Sequence, residues 1–373
     1  MSDVVEATIS EVKAICRSLV ADKAAKRTPV NLMGPPGAGK TQTFEQLAQE
    51  IKADYRVFLT ATMDPTDLVG IPNNANDLYT EFLPPKDFLA LTEACGKLDV
   101  DPDVPVVAVF EDLPACHPQV FNTLLRFMQQ REVGGRKIRD NVFLAATGNR
   151  VEDRAGAALI PTALANRFLH FSLSTSAEEW SQWAMMNGVD PLLISFVDRK
   201  GISALHNFDP TTGFLAFATP RSVVMAGHAI QAIGHENTHA LEIALSGCCG
   251  SGWAREFLSF LRIREKIVPV AEIFANPTGA AVPAERDIDL SFVTINNAVA
   301  ALMNSGSVPN AHAFLQYLTR FPLEECVVFG YKKILKGVIG NHTKFSPQKQ
   351  MDISCSPHFK DLVAMQRVIR ADG

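Results

Sequence analysis

From position 34 the chain reads Gly34-Pro35-Pro36-Gly37-Ala38-Gly39-Lys40-Thr41, a G-x-x-x-x-G-K-T spacing in which each position has a physical job. Glycines let successive backbone N–H groups curl around phosphate oxygens, and a helix opening at the end of the loop adds the positive end of its dipole. Lys40 brings a point charge to the β- and γ-phosphates, and Thr41 brings a hydroxyl to magnesium. The chemistry predicted for these eight residues is the binding of ATP with Mg2+. The alternative is a Gly-Pro loop that only turns a strand into a helix.

Such a site needs an acidic element to hold the water shell of the magnesium and to orient the attacking water. Glu111-Asp112, ending the apolar run 105–110, fits both jobs: Glu111 beside the metal with Thr41, through water, and Asp112 at the attacking water. A solvated acidic pair is the alternative. The usual order of the two acids is Asp then Glu, so the water-activating carboxylate here is one methylene shorter. A misplacement of about 1 Å can cost roughly a hundredfold in rate, and slow hydrolysis is therefore expected. Asn149, ending the next apolar strand, can bond the γ-phosphate or the water, or can simply terminate its strand. Arg167 follows an Ala- and Leu-rich helix and can project toward a neighbouring subunit's γ-phosphate, where such a finger is worth about 10³ to 10⁵ in rate; an ordinary ion pair is its alternative. Arg154 is a rival for that role. Arg221 opens a later helix and can couple the position of a lid to the nucleotide state, or serve only to cap the helix.

The elements that must position these groups follow from apolar patterning. Residues 4–22 carry apolar side chains at helical spacing, and Val30–Met33 reads as a short strand before the glycine-rich loop and a helix over 40–52. Strands are predicted at 55–60, 105–110 and 141–146, with a helix over 119–130 and a tight hairpin at Gly134-Gly135. Strands alternating with helices imply a parallel sheet, whose ligands lie at the carboxyl ends of the strands. Residues 34–41, 111–112 and 147–149 all fall at such ends and should converge. After about Ser172 the pattern turns helical, with a helix start at Thr219-Pro220-Arg221. Further helix candidates lie at 294–303 and 310–318.

The ordered set of motifs resembles the AAA+ ATPases and, within them, the MoxR branch. The resemblance rests on 34–41 (Walker A), 106–112 (Walker B with its acids exchanged), 146–149 (sensor 1), 164–168 (arginine-finger box) and 219–221 (sensor 2), together with 64–70; it covers roughly residues 29–235. It implies an α/β P-loop NTPase fold, a parallel sheet sandwiched by helices, followed by a small helical lid and a mainly helical C-terminal extension, as in some bacterial and phage-encoded relatives. The domains so implied are an N-terminal helix (1–28), the AAA+ α/β domain (29–172), the lid (173–265) and the extension (266–373). It also implies a homo-oligomeric ring, usually a hexamer, with ATP between subunits. MoxR-type proteins remodel protein clients in a chaperone-like way, often beside a partner carrying a von Willebrand factor A domain. Two pore-facing insertions would be 74–85 and a hairpin at 131–139. There Arg131, Arg136, Lys137 and Arg139 can grip an acidic or nucleic partner, or sit in a solvated turn.

Composition bounds the alternatives. With 373 residues, 47% hydrophobic, 20% charged and a net charge of −5, two or three domains are expected and no global basic field exists to hold a nucleic acid. No stretch approaches the roughly 20 apolar residues of a spanning helix, and the N-terminus lacks the layout of a secretory signal; a cytoplasmic location is expected. Seven scattered cysteines without a C-x-x-C pair read as free, mostly buried thiols, and the nine histidines, His228 and His235 included, as structural. An ATP-driven protein remodeller is the leading expectation, against an ATP-binding scaffold with weak hydrolysis. A nucleic-acid motor is a third reading that the acidic balance opposes.

Overall fold

The computed structural model describes residues 4–362 apart from 23, 75–79, 99, 154–155, 210, 212, 340–343 and 361. The chain forms two compact units, Met1–Thr175 with Asp209–Gly213, and Ser176–Phe208 with Phe214–Gly373.

The first unit is built on a sheet whose central strands are buried on both faces. β1 (Glu6–Ala7), β2 (Val30–Met33), β3 (Asp54–Leu59), β4 (Val106–Glu111), β5 (Val142–Gly148) and β6 (Leu169–Leu173) form one sheet in the order β1-β6-β2-β5-β4-β3. Every neighbouring pair is parallel. Because successive side chains on a strand point to opposite faces, the apolar runs divide between two cores. Val107, Val109, Phe143 and Ala145 face Val12 and Cys16 of α1 (Ile9–Ala21) and Phe44 and Leu47 of α2 (Lys40–Glu50). Ala108, Phe110, Leu144 and Ala146 face Val120, Leu124 and Phe127 of α3 (Pro118–Gln130). The Phe110 ring lies 5.3 Å from that of Phe58 and 5.4 Å from that of Phe127, centroid to centroid. Helices thus sandwich the parallel sheet.

Two strands depart from the sequence expectation. The helix read over 4–22 begins only at Ile9, because Thr8 and Glu11 close a capping box: the Thr8 N–H donates to Glu11 Oε2 at 2.8 Å and the Glu11 N–H to Thr8 Oγ1 at 3.4 Å. Glu6–Ala7 is freed to pair with the end of β6, a strand for which the sequence reading assigned no element. The hairpin expected around Gly134-Gly135 forms, Glu132–Val133 pairing antiparallel with Arg136–Lys137, but two of its arginines turn inward. Arg131 donates to the carbonyls of Arg139 (3.2 Å) and Val142 (2.7 Å), while Arg139 donates to those of Pro102 (2.6 Å) and Ala90 (3.1 Å). These two arginines therefore hold the hairpin's base and are not presented to a partner. Lys137 is exposed and Arg136 half-buried. Of the other insertion, strands Ile71–Asn73 and Glu81–Leu83 pair antiparallel, while residues 75–79 lie outside the described part.

The second unit is helical: α4 (Ala177–Met186), α5 (Pro191–Lys200), α6 (Pro220–Ile233), α7 (Thr238–Cys249), α8 (Ser251–Leu261), α9 (Ile288–Ser305), α10 (Val308–Leu318) and α11 (Glu324–Lys333), with shorter pieces between and after them. One continuous buried cluster runs through it, from Trp180 and Phe196 through Phe257, Val299 and Phe314 to Phe345 and Leu362. Residues of both the expected lid and the expected extension contribute to this cluster.

Candidate nucleotide site at the strand ends

β2 ends at Met33, and the loop turns through Gly37 (φ 73°) and Gly39 (φ 96°) before α2 starts at Lys40. Both values lie in the left-handed region that glycine enters without a Cβ penalty. Gly39 is the residue from which α2 departs, so the first, unpaired N–H groups of an 11-residue helix open onto the loop. Sheet register brings the other pieces alongside. Met33 is level with Gly148 on β5, and Leu59 is level with Glu111 on β3 and β4. The Gly34 N–H donates to the Gly148 carbonyl at 3.2 Å. A Cβ on Gly148 would come within 2.2 Å of Pro114 Cδ, so only glycine lets the segment after Asp112 close over the end of β5.

Four of the sequence-predicted residues meet here. Lys40 is buried, and its ammonium donates to the Gly34 carbonyl (3.0 Å), the Pro35 carbonyl (2.8 Å) and Asn149 Oδ1 (2.9 Å). Its three donors are thus matched by neutral oxygens, and a phosphate reached by Lys40 must replace at least one of them. The Thr41 hydroxyl donates to Glu111 Oε1 at 2.5 Å. These are hard oxygen ligands, the set that suits Mg2+, which is commonly held by one or two carboxylates together with substrate phosphates. Among the described residues no group of three or more His, Cys, Asp or Glu side chains is placed to hold a metal.

Asp112, the second acid, leaves the strand at φ 54° and ψ 39°, and its carbonyl accepts from the Ala115 N–H at 2.8 Å. Among non-glycine residues Asp and Asn tolerate this conformation best. An aspartate at position 112 is therefore compatible with the turn the chain makes there.

Sequence reasoning missed three supports of the site. Thr60, at the end of β3, donates its hydroxyl to the Glu111 carbonyl at 2.6 Å. Tyr55 donates to the Thr41 carbonyl at 3.1 Å, and burial, with Glu45 and Glu111 nearby, pushes its phenol above the usual range. Arg150, next to Asn149, makes two bonds to the buried Asp153 carboxylate, at 3.0 and 3.1 Å, and that pairing holds its pKa up. Only the last carried a local signal, an Arg-x-x-Asp spacing.

The remaining candidates lie elsewhere. Arg167 follows the short helix Thr162–Ala165 and donates to the Ala163 carbonyl and, at 2.8 Å, to Gln129 Oε1. Arg154 lies outside the described residues. Arg221, in the second unit, is exposed in the first turn of α6 and makes no ion pair among the described residues; Thr219 and Ser222 cap that helix reciprocally.

A parallel sheet, a glycine-rich loop running into a helix that begins Lys-Thr, and an acid and an amide at the adjacent strand ends define a P-loop nucleotide-binding fold of the AAA+ type. Residues 29–168 match the AAA domain family, dynein-related subfamily. No curated protein sequence matches the chain significantly. Among solved structures, similarity is found to a putative ATPase from Cytophaga hutchinsonii (15% identity, TM-score 0.32, 88% of this chain and 80% of that one). It is also found to Thermotoga maritima RuvB, a Holliday junction branch migration motor (14% identity, TM-score 0.37, 73% of this chain and 75% of that one).

Proposed function

We propose that the α/β unit binds ATP with Mg2+ and hydrolyses it, and that the protein is a ring-forming remodeller of the MoxR branch acting on a protein client. The observation that supports the nucleotide reading is the pairing, beside the glycine-rich loop, of Lys40 with Asn149 and of Thr41 with Glu111. On this reading the loop amides and Lys40 hold the phosphates. Thr41 and Glu111 hold the magnesium, which when bound neutralises charge on the phosphate oxygens. Asn149 and Asp112 orient the attacking water, Asp112 as proton acceptor. Arg167 leaves its intrachain partners to complete a neighbour's site, and Arg221 reports nucleotide state to a lid within 173–265. A hexamer, a cytoplasmic location and a partner with a von Willebrand factor A domain extend this reading through the MoxR resemblance; among the described residues no helix is long and apolar enough to cross a membrane.

The order Glu111-Asp112, which leaves the shorter carboxylate at the attacking water, supports a second reading, a ring that binds ATP and turns it over slowly, as a scaffold. Steady-state ATPase rates of the native chain, Asp112→Glu and Asp112→Asn separate the two. The remodeller reading predicts Mg2+-dependent native turnover that falls about 10² to 10⁴-fold in Asp112→Asn, the range for loss of a general base. Native turnover as slow as that of Asp112→Asn, with ATP still bound, would leave the scaffold.

A further inference from the structure

Helix α11 and the π-helical turn that follows it, Ile334–Ile339, line one side of a cleft of about 710 Å³ in the helical unit. Glu325, Val328, Phe329 and Lys332 recur along α11 at three- and four-residue spacing and therefore share a helix face. Phe292 of α9 lies against Phe329, with ring centroids 4.4 Å apart and planes tilted by 38°, which gives the cleft an aromatic floor.

The charges around that floor divide into those already neutralised and those left over. Lys333 is buried; its ammonium lies 2.7 Å from Asp198 Oδ2 and 5.1 Å from the centre of the Phe329 ring, and Asn296 donates to the same carboxylate oxygen at 2.8 Å. Lys336 is bonded to Glu178 at 2.6 Å. With these two pairs closed, Glu324 and Glu325 remain without an ion pair among the described residues at one end of the cleft, and Lys332 at the other. Glu325 and Lys332 stand two helical turns apart, about 10 Å along the axis. An extended peptide, rising about 3.3 Å per residue, covers that distance in roughly three residues.

We propose that this cleft binds an extended peptide segment of a protein partner: a basic side chain at Glu324 and Glu325, an aromatic or large aliphatic one on Phe292 and Phe329, and an acidic one at Lys332. The site lies wholly within the helical unit and does not depend on nucleotide turnover, so it stands or falls apart from the ATPase reading.

The test uses the full chain without nucleotide and a fluorescein-labelled, end-blocked peptide Gly-Lys-Phe-Phe-Asp-Gly, followed by fluorescence anisotropy. Two comparison peptides replace both Phe by Ala, or Lys by Glu. Saturable binding of the first peptide is expected, weakened at least tenfold by either replacement and by Phe329→Ala. The double variant Glu324→Lys/Glu325→Lys should lose the first peptide about tenfold and gain the Lys-to-Glu peptide by a similar factor. Both glutamates are exposed, so this variant keeps the fold and decides the matter if Phe329→Ala proves unstable. Absence of saturable binding, or binding unchanged by the charge reversal, would overturn the proposal.

Discussion

At the residue scale the most informative position is Asp112. Its left-handed backbone suits an aspartate, and it makes the two obvious substitutions unequal. Asparagine tolerates the same conformation, so Asp112→Asn should melt within a degree or two of the native chain. Asp112→Glu should lose up to about 1 kcal/mol. Thermal melts followed by circular dichroism check the order; equal losses would show that the backbone conformation does not matter. Thiol reactivity gives a second residue-scale prediction. Burial pushes the Cys16 and Cys249 thiols up to about 12 and Cys116 to about 11, while Cys355 is exposed. Because the thiolate is the reactive form, a thiol reagent at pH 8 should label Cys355 fast and these three only on unfolding, as peptide mapping would show.

At the element scale, the close approach of Gly148 to Pro114 ties the packing of β5 to the position of Asn149. Gly148→Ala should force the two segments apart and lower ATP turnover by tenfold or more, a larger effect than its change in melting temperature would suggest. A variant with native turnover would show that the contact relaxes freely. How much of this was legible beforehand depended on whether the signal was local. The central strands were, because 106–110 and 142–146 are unbroken apolar runs long enough for a strand buried on both faces. The loop was legible because its chemistry is compressed into eight consecutive residues. The edges were not: Glu6–Ala7 is too short to show a period, and Leu169–Leu173, which includes the polar His170 and Ser172, is not an unbroken apolar run. Arg131 and Arg139 looked available because nothing in the sequence shows which carbonyls face them across the hairpin. Thr60 and Tyr55 were invisible for the same reason, since their partners come from other strands and from α2.

At the scale of the whole molecule the proposed ring makes a prediction that no isolated subunit can meet. If Arg167 completes a neighbour's site, Lys40→Ala and Arg167→Ala should each be inactive alone, the first for want of bound nucleotide. Mixed in equal amounts they should recover part of the native ATPase, because a Lys40→Ala subunit still offers Arg167 to an Arg167→Ala site. No recovery in mixtures shown to co-assemble would place Arg167 in its own subunit's structure, where it now bonds Gln129. The central claim, that residues 34–41 with Glu111 and Asn149 form the nucleotide site, is tested most directly by titrating MgATP into the native chain and into Lys40→Ala by calorimetry. Saturable binding by the native chain and a loss of at least a hundredfold in Lys40→Ala, with the variant still folded as judged by a cooperative melt, is the predicted result. Equal affinity in the two proteins would contradict it.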